Sequence, residues 1–185
     1  MQRIAAGATV LAHGDSLTFG SGAAPDQSYP AVLAQITGWN VVNAGVPGNT
    51  SAQARERLPA LLTQHAPQLV LLAIGGNDFL RQVPEADTRA AITAMLAEIR
   101  ATGAATVLIA VPRPSVAGAL LRALSDHPLF VALAEEHQVP LLADAWSDIL
   151  SQPGFKSDQI HANAAGYARF AQRVQEFARD NGLLA

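Results

Sequence analysis

The chain contains no cysteine, so disulfides, thiol catalysis and thiolate metal sites are excluded, and the redox state of its compartment stays open. Charge is sparse: 12 Lys and Arg stand against 15 Asp and Glu among 185 residues. A net charge of -3 leaves no basic surplus for phosphates, and no Lys/Arg cluster interleaves with aromatics, so no nucleic-acid partner is expected. Aromatics make up only 5%, which offers few stacking platforms for a polysaccharide. No uninterrupted apolar stretch reaches the roughly eighteen residues of a membrane helix, so no stable membrane insertion is expected. His13, His65, His127 and His137 lack metal-site spacing with carboxylates, and the glycines from Gly14 to Gly22 are not followed by Gly-Lys-Ser/Thr. Neither a metal nor a nucleotide loop is expected, and no cofactor is implied.

What remains is a hydrophobic chain, 50% apolar, with the length of one ordinary domain spanning 1–185. The start, Met1 to Ala12, superficially resembles a secretion signal, but it flows into Gly14-Asp15-Ser16, and cleavage there would remove a strand. It reads as a first core strand of a cytoplasmic protein; periplasmic or secreted action would require export from a longer precursor. Short apolar, β-branched runs recur at Thr9–Ala12, Asn40–Ala44, Leu69–Ile74, Thr106–Val111 and Pro140–Ala143, each suited to a buried parallel strand.

Helical spacing fills the intervals: Tyr29, Val32, Leu33 and Ile36, then Leu58, Leu61 and Leu62 after a cap at Thr50 or Ser51, then Ala90 to Arg100 before Gly103. A further helix is expected near Pro128–His137. A last one opens at Asn163 with Tyr167, Phe170, Val174 and Phe177 on one face. Pro112, Pro114 and Gly118 make the segment from Pro112 to Leu124 a loop suited to lining a cleft. The alternation predicts a three-layer α/β/α domain with a mainly parallel five-stranded sheet, whose ligands bind beyond the carboxyl ends of the strands.

Ser16 falls where the first strand runs into the turn His13-Gly14-Asp15-Ser16-Leu17-Thr18-Phe19-Gly20, a position that exposes a hydroxyl. Serine is a weak nucleophile, so it needs a base, an orienting acid and oxyanion donors. Asn43–Thr50, Gly75-Gly76-Asn77-Asp78 and Asp158-Gln159-Ile160-His161 follow apolar runs or turns and can supply them. Taken alone, Asp-x-x-His is a weak signal, and the reading of Asp158 as a helix-start residue would be favoured. Gly48 and Asn77 alone are ordinary turn residues.

All four blocks in order resemble the SGNH hydrolases, the GDSL family of lipases and esterases. The similarity is closer to its bacterial multifunctional thioesterase, lysophospholipase and arylesterase subgroup, through Asn43-Ala44-Gly45, Leu58-Pro59-Ala60-Leu61-Leu62 and Leu72-Ala73-Ile74-Gly75-Gly76-Asn77-Asp78. The resemblance implies a flavodoxin-like fold and a catalytic triad of Ser16, His161 and Asp158. It also implies an oxyanion hole of the Ser16 amide, the Gly48 amide and the Asn77 side chain.

Asp15 and Asp78 are expected to brace their loops, Asp78 through local backbone bonds, rather than to catalyse. Two positions depart from the family pattern: Ala162 where proline often follows the histidine, and Asn49 where an acidic residue is frequent. The implied substrate is a small-molecule carboxylic ester of short to medium chain, including aryl esters, acyl thioesters or lysophospholipids. Val116 to Leu124, Leu120 and Leu121 among them, with Phe79 and Leu80, would wall the acyl pocket. Two alternatives stand beside this: a carbohydrate O-acetyl esterase, and a binding module that keeps the fold without the chemistry.

Overall fold

The computed structural model describes residues 3–115, 118 and 123–184. Five strands, β1 (Thr9–Gly14), β2 (Asn40–Gly45), β3 (Leu69–Ala73), β4 (Ala105–Ile109) and β5 (Leu141–Leu142), form one sheet in the order β2-β1-β3-β4-β5. Every pairing is parallel, and the order is that of the flavodoxin-like doubly wound sheets. Burial of all five residues of β3 explains its unbroken apolar run, because a sheet covered on both faces has no polar side.

Eight α-helices are described from end to end: α1 (Ser16–Phe19), α2 (Tyr29–Thr37), α3 (Ser51–His65), α4 (Gly76–Leu80), α5 (Glu85–Ala101), α6 (Leu129–His137), α7 (Ala145–Leu150) and α8 (Ala164–Asp180). α2 and α7 pack with α8 on one side of the sheet, and α3 and α6 pack with α5 on the other. The first side is aromatic. Trp146 stacks on Phe170 with centroids 3.7 Å apart, and Tyr29 meets Phe170 edge-on at 4.8 Å. The second side is largely aliphatic, built on Leu58, Ile92, Met95, Ile99 and Leu133.

Local signals set several boundaries. Thr50 caps α3 and exchanges bonds with Gln53, while Asn163 accepts from the Gly166 amide at 3.0 Å and starts α8. Other boundaries move. β1 continues through His13 and Gly14, β4 ends at Ile109 rather than Val111, and β5 is only two residues long. α5 begins at Glu85, five residues before the expected start, since its first turn is polar and carries Glu85 and Asp87 at the positive end of the helix dipole. Val116, Leu120 and Leu121 lie outside the described residues.

The register has a direct consequence for function. Gly14 lies opposite Gly45 of β2 and Ala73 of β3, so three strands end at one level. A side chain at Gly14 would put its Cβ 2.3 Å from both the Ala73 carbonyl and Thr18 Oγ1, so only glycine lets the chain turn there. The loops leaving these ends carry Ser16, Gly48 and Asn77.

Candidate active site

Ser16 is the first residue of α1, and Asp15 caps that helix by accepting from the Leu17 amide at 3.0 Å. Asn43 of β2 holds the turn from outside, donating to the Phe19 carbonyl at 3.2 Å, and the Tyr167 hydroxyl donates to the Ser21 carbonyl at 2.6 Å. The hydroxyl of Ser16 is thereby presented from a turn tied to both the sheet and α8.

Asp158 and His161 share a short loop closed at its base by the bridge between Lys156 and Ala162 and by the Ser157 amide donating to the His161 carbonyl at 3.0 Å. Ala162, the departure from the expected proline, is fully buried in that bridge. Asp158 Oδ1 accepts from the amides of Ile160 and His161, each at 2.8 Å, which folds the loop back on itself. Its Oδ2 accepts from His161 Nδ1 at 2.7 Å. A carboxylate only accepts, so Nδ1 carries the proton and Nε2 of the neutral ring is left to accept from the Ser16 hydroxyl at 3.0 Å. Partial burial raises the Asp158 carboxyl, but the bonds from His161 and the two amides outweigh it and hold the group below its ordinary range. Asp158 does not start the last helix; Asn163 does.

The other two segments converge on the same strand ends. Gly48 sits at φ +79°, a left-handed conformation suited to glycine, inside the turn in which the Asn49 amide donates to the Val46 carbonyl at 3.2 Å. Asn77, the second residue of α4, donates one amide hydrogen to the Asn49 carbonyl at 3.0 Å, which joins the two loops and leaves its second hydrogen available.

Asp78 differs from expectation in one respect. Its bonds are long-range rather than local: it accepts from the Ser51 amide at 2.8 Å, from the Ser51 hydroxyl and from the Thr88 hydroxyl at 3.2 Å. It therefore pins α4 to the starts of α3 and α5. No sequence-local signal marks Ser51 or Thr88 for this role, since the contacts exist only once the helices are placed on the sheet.

Two buried titratable groups flank Ser16. Burial raises the Asp15 carboxyl to about 6, with Asp78 adding to the rise and the Leu17 amide and His161 opposing it. Burial lowers His13 to about 4, helped by the Arg57 charge and opposed by its bond to the Ala54 carbonyl at 2.9 Å. His13 is a neutral core histidine. Among the described residues no group of three or more His, Asp or Glu side chains is arranged to hold a metal.

Phe19, Val46, Leu80 and Ile160 are exposed, and each belongs to or adjoins one of the four segments. Phe79 stacks on His127 with ring centroids 4.0 Å apart, linking α4 to the segment before α6. A hydroxyl aligned on an imidazole whose other nitrogen is held by a carboxylate can lose its proton as it attacks a carbonyl.

The model of the GDSL-like Lipase/Acylhydrolase family matches residues 12–169. The chain belongs to this family of ester hydrolases. It is 35% identical over 166 residues to thioesterase 1/protease 1/lysophospholipase L1 of Escherichia coli strain K12, covering 87% of this chain and 78% of that protein. It is also 30% identical over 156 residues to an arylesterase of Vibrio mimicus, covering 80% and 76%. Among solved structures, TesA superposes with a TM-score of 0.82 at 28% identity, over 93% of this chain and 98% of that one. No helix among the described residues is long and apolar enough to cross a membrane.

Proposed function

We propose that residues 1–185 form a single hydrolase domain that cleaves carboxylic esters through an acyl-enzyme at Ser16. The observation that carries this reading is the continuous line from Ser16 Oγ to His161 Nε2 at 3.0 Å and from Nδ1 to Asp158 at 2.7 Å. Ser16 Oγ attacks the acyl carbonyl while His161 takes its proton. Asp158 fixes the tautomer and stabilises the imidazolium that forms. The amides of Ser16 and Gly48 and the free hydrogen of Asn77 Nδ2 receive the oxyanion. His161 then returns the proton to the departing alcohol, phenol or thiol. Water, deprotonated by the same imidazole, attacks the acyl carbon; the tetrahedral intermediate collapses, releasing the acid and restoring the Ser16 hydroxyl.

The substrates are esters of short to medium acyl chain, and the class extends to aryl esters, acyl thioesters and lysophospholipids. The exposed Phe19, Val46, Leu80 and Ile160 support an apolar acyl group. The thioesterase and lysophospholipase of Escherichia coli and the arylesterase of Vibrio mimicus, as relatives, support the breadth of leaving group. Cytoplasmic action is part of the reading, and cell fractionation tests it.

Hydrolysis of p-nitrophenyl esters from acetate to dodecanoate tests the proposal, with Ser16→Ala in parallel and a chelator in one arm. Activity lost in the variant and indifferent to chelator is expected. Full activity in Ser16→Ala would overturn the assignment.

A further inference from the structure

Arg57, on α3, bonds to two segments of the site at three points. Its Nε donates to Asn49 Oδ1 at 2.9 Å, one terminal nitrogen to the Ala44 carbonyl at 3.1 Å, and the other to the Gly14 carbonyl at 3.2 Å. Gly14 ends β1 two residues before Ser16. Ala44 lies at the end of β2 four residues before Gly48. Asn49 follows Gly48, and its carbonyl is the group that accepts from Asn77. One guanidinium therefore joins the segments of Ser16 and Gly48 directly and reaches that of Asn77 through Asn49, whose carbonyl accepts from the Asn77 side chain.

We infer that Arg57 is a positioning residue that sets the mutual spacing of the Ser16, Gly48 and Asn77 donors. The inference rests on the oxyanion hole proposed above. Three features of the structure support it. All three of its acceptors are neutral oxygens, and among the described residues it joins no salt bridge, so ion pairing does not explain its placement. Its bonds run to positions 8, 13 and 43 residues away, far beyond what stabilising its own helix requires. Only a planar guanidinium offers several donors in a fixed fork; a lysine ammonium is a point donor that cannot hold three acceptors in one plane. The departure at position 49 belongs to the same picture, because Asn49 meets Arg57 through a carbonyl oxygen just where a carboxylate would.

The test compares wild type, Arg57→Ala, Arg57→Lys, Asn77→Ala and the Arg57→Ala/Asn77→Ala double variant, with p-nitrophenyl butyrate as substrate and an alkyl fluorophosphonate as inactivator. Displaced donors lower kcat by about 10- to 100-fold, the scale of losing one oxyanion contact. KM stays within about twofold, because the ground-state ester does not use the hole. The inactivation rate falls in parallel, since the phosphoryl oxygen occupies the same donors. The pH profile keeps its shape, because Arg57 makes no bond to His161 or Asp158.

Arg57→Lys recovers only part of kcat, and the double variant loses less than the product of the single losses, since both changes damage one device. Should Arg57→Ala fail to fold, Arg57→Lys carries the same readouts with bulk and charge retained. A folded Arg57→Ala with kcat within about threefold of wild type, full rescue by lysine, or strictly multiplicative losses would each overturn the inference. Ser16→Ala separates the two levels: if it is inactive while Arg57→Ala is not impaired, only this inference fails. If Ser16→Ala is active, the underlying assignment fails.

Discussion

Asp158 is 53% exposed and makes every one of its bonds within three residues, whereas Asp78 is 1% exposed and bonds to Ser51 and Thr88, 27 and 10 positions away. Both are single carboxylates beside a residue of the site, yet they are held by different means. The side proposed for acid-base work is a self-contained surface loop. The donor side is anchored in the core through α3, α4 and α5. A local loop can be altered with little effect on folding, while a buried brace couples the site to the stability of the domain.

Substitutions break this comparison apart, and the largest effect is expected on the exposed side. Asp158→Ala should lower kcat about 10³-fold or more, on the scale of removing the acid of a triad, while leaving Tm within about 2 °C. A scan of kcat and thermal midpoint on one preparation checks both. On the donor side, Asn77→Ala should cost about 100-fold in kcat with little change in KM. Equal losses in kcat/KM caused by KM alone would place Asn77 in ground-state binding.

Asp78→Ala should reverse the pattern seen for Asp158. It strands the Ser51 amide and hydroxyl and the Thr88 hydroxyl in the interior, a destabilisation of about 3 kcal/mol. That corresponds to a Tm lower by roughly 10 °C for a chain of this size. Urea unfolding of the variant measures it, and a stability equal to wild type would show that the brace is idle.

The smallest and most informative test uses pH, because His13 and Asp15 oppose each other. His13 has a folded value of about 4 against an ordinary 6.5, so stability is full above 6.5 and is lost as pH falls toward 4. Asp15 has a folded value of about 6 against an ordinary 3.8, so the folded state binds the extra proton and stability is gained as pH falls from 6. Each amounts to about 3 kcal/mol at about 1.4 kcal/mol per pH unit of displacement, and they cancel in part between pH 4 and 6. Asp15→Asn keeps an N-cap but removes one side of the balance. It should be more stable than wild type at pH 7 and lose stability more steeply toward pH 4. Parallel stability curves for the two proteins would contradict this.

The same contrast governs what could be read from the residues alone. The Asp158–His161 loop was legible because Asp158, His161 and the cap Asn163 bond over three or four positions, and the Gly14-Asp15-Ser16 turn follows an unmistakable apolar strand. The parallel strands were legible as buried runs, although their ends shifted by one or two residues.

The bracing was not legible. Asp78 looked like a local turn residue, and Arg57 resembled any polar position of an amphipathic helix. Their partners depend on the register that sets Gly14 beside Gly45 and Ala73, a property of the assembled sheet. α1, α4 and α7 were equally hidden, since helices of four to six residues are too short for periodicity to declare them.

The central claim is covalent: an acyl group resides on Ser16 between substrate binding and hydrolysis. Intact-mass analysis after rapid mixing with p-nitrophenyl butyrate and acid quench tests it most directly, followed by peptide mapping. The account predicts a butyryl adduct on the peptide carrying Ser16, formed in a burst matching p-nitrophenol release and absent from Ser16→Ala. An adduct on another residue, or steady turnover by Ser16→Ala at the wild-type rate, would contradict it.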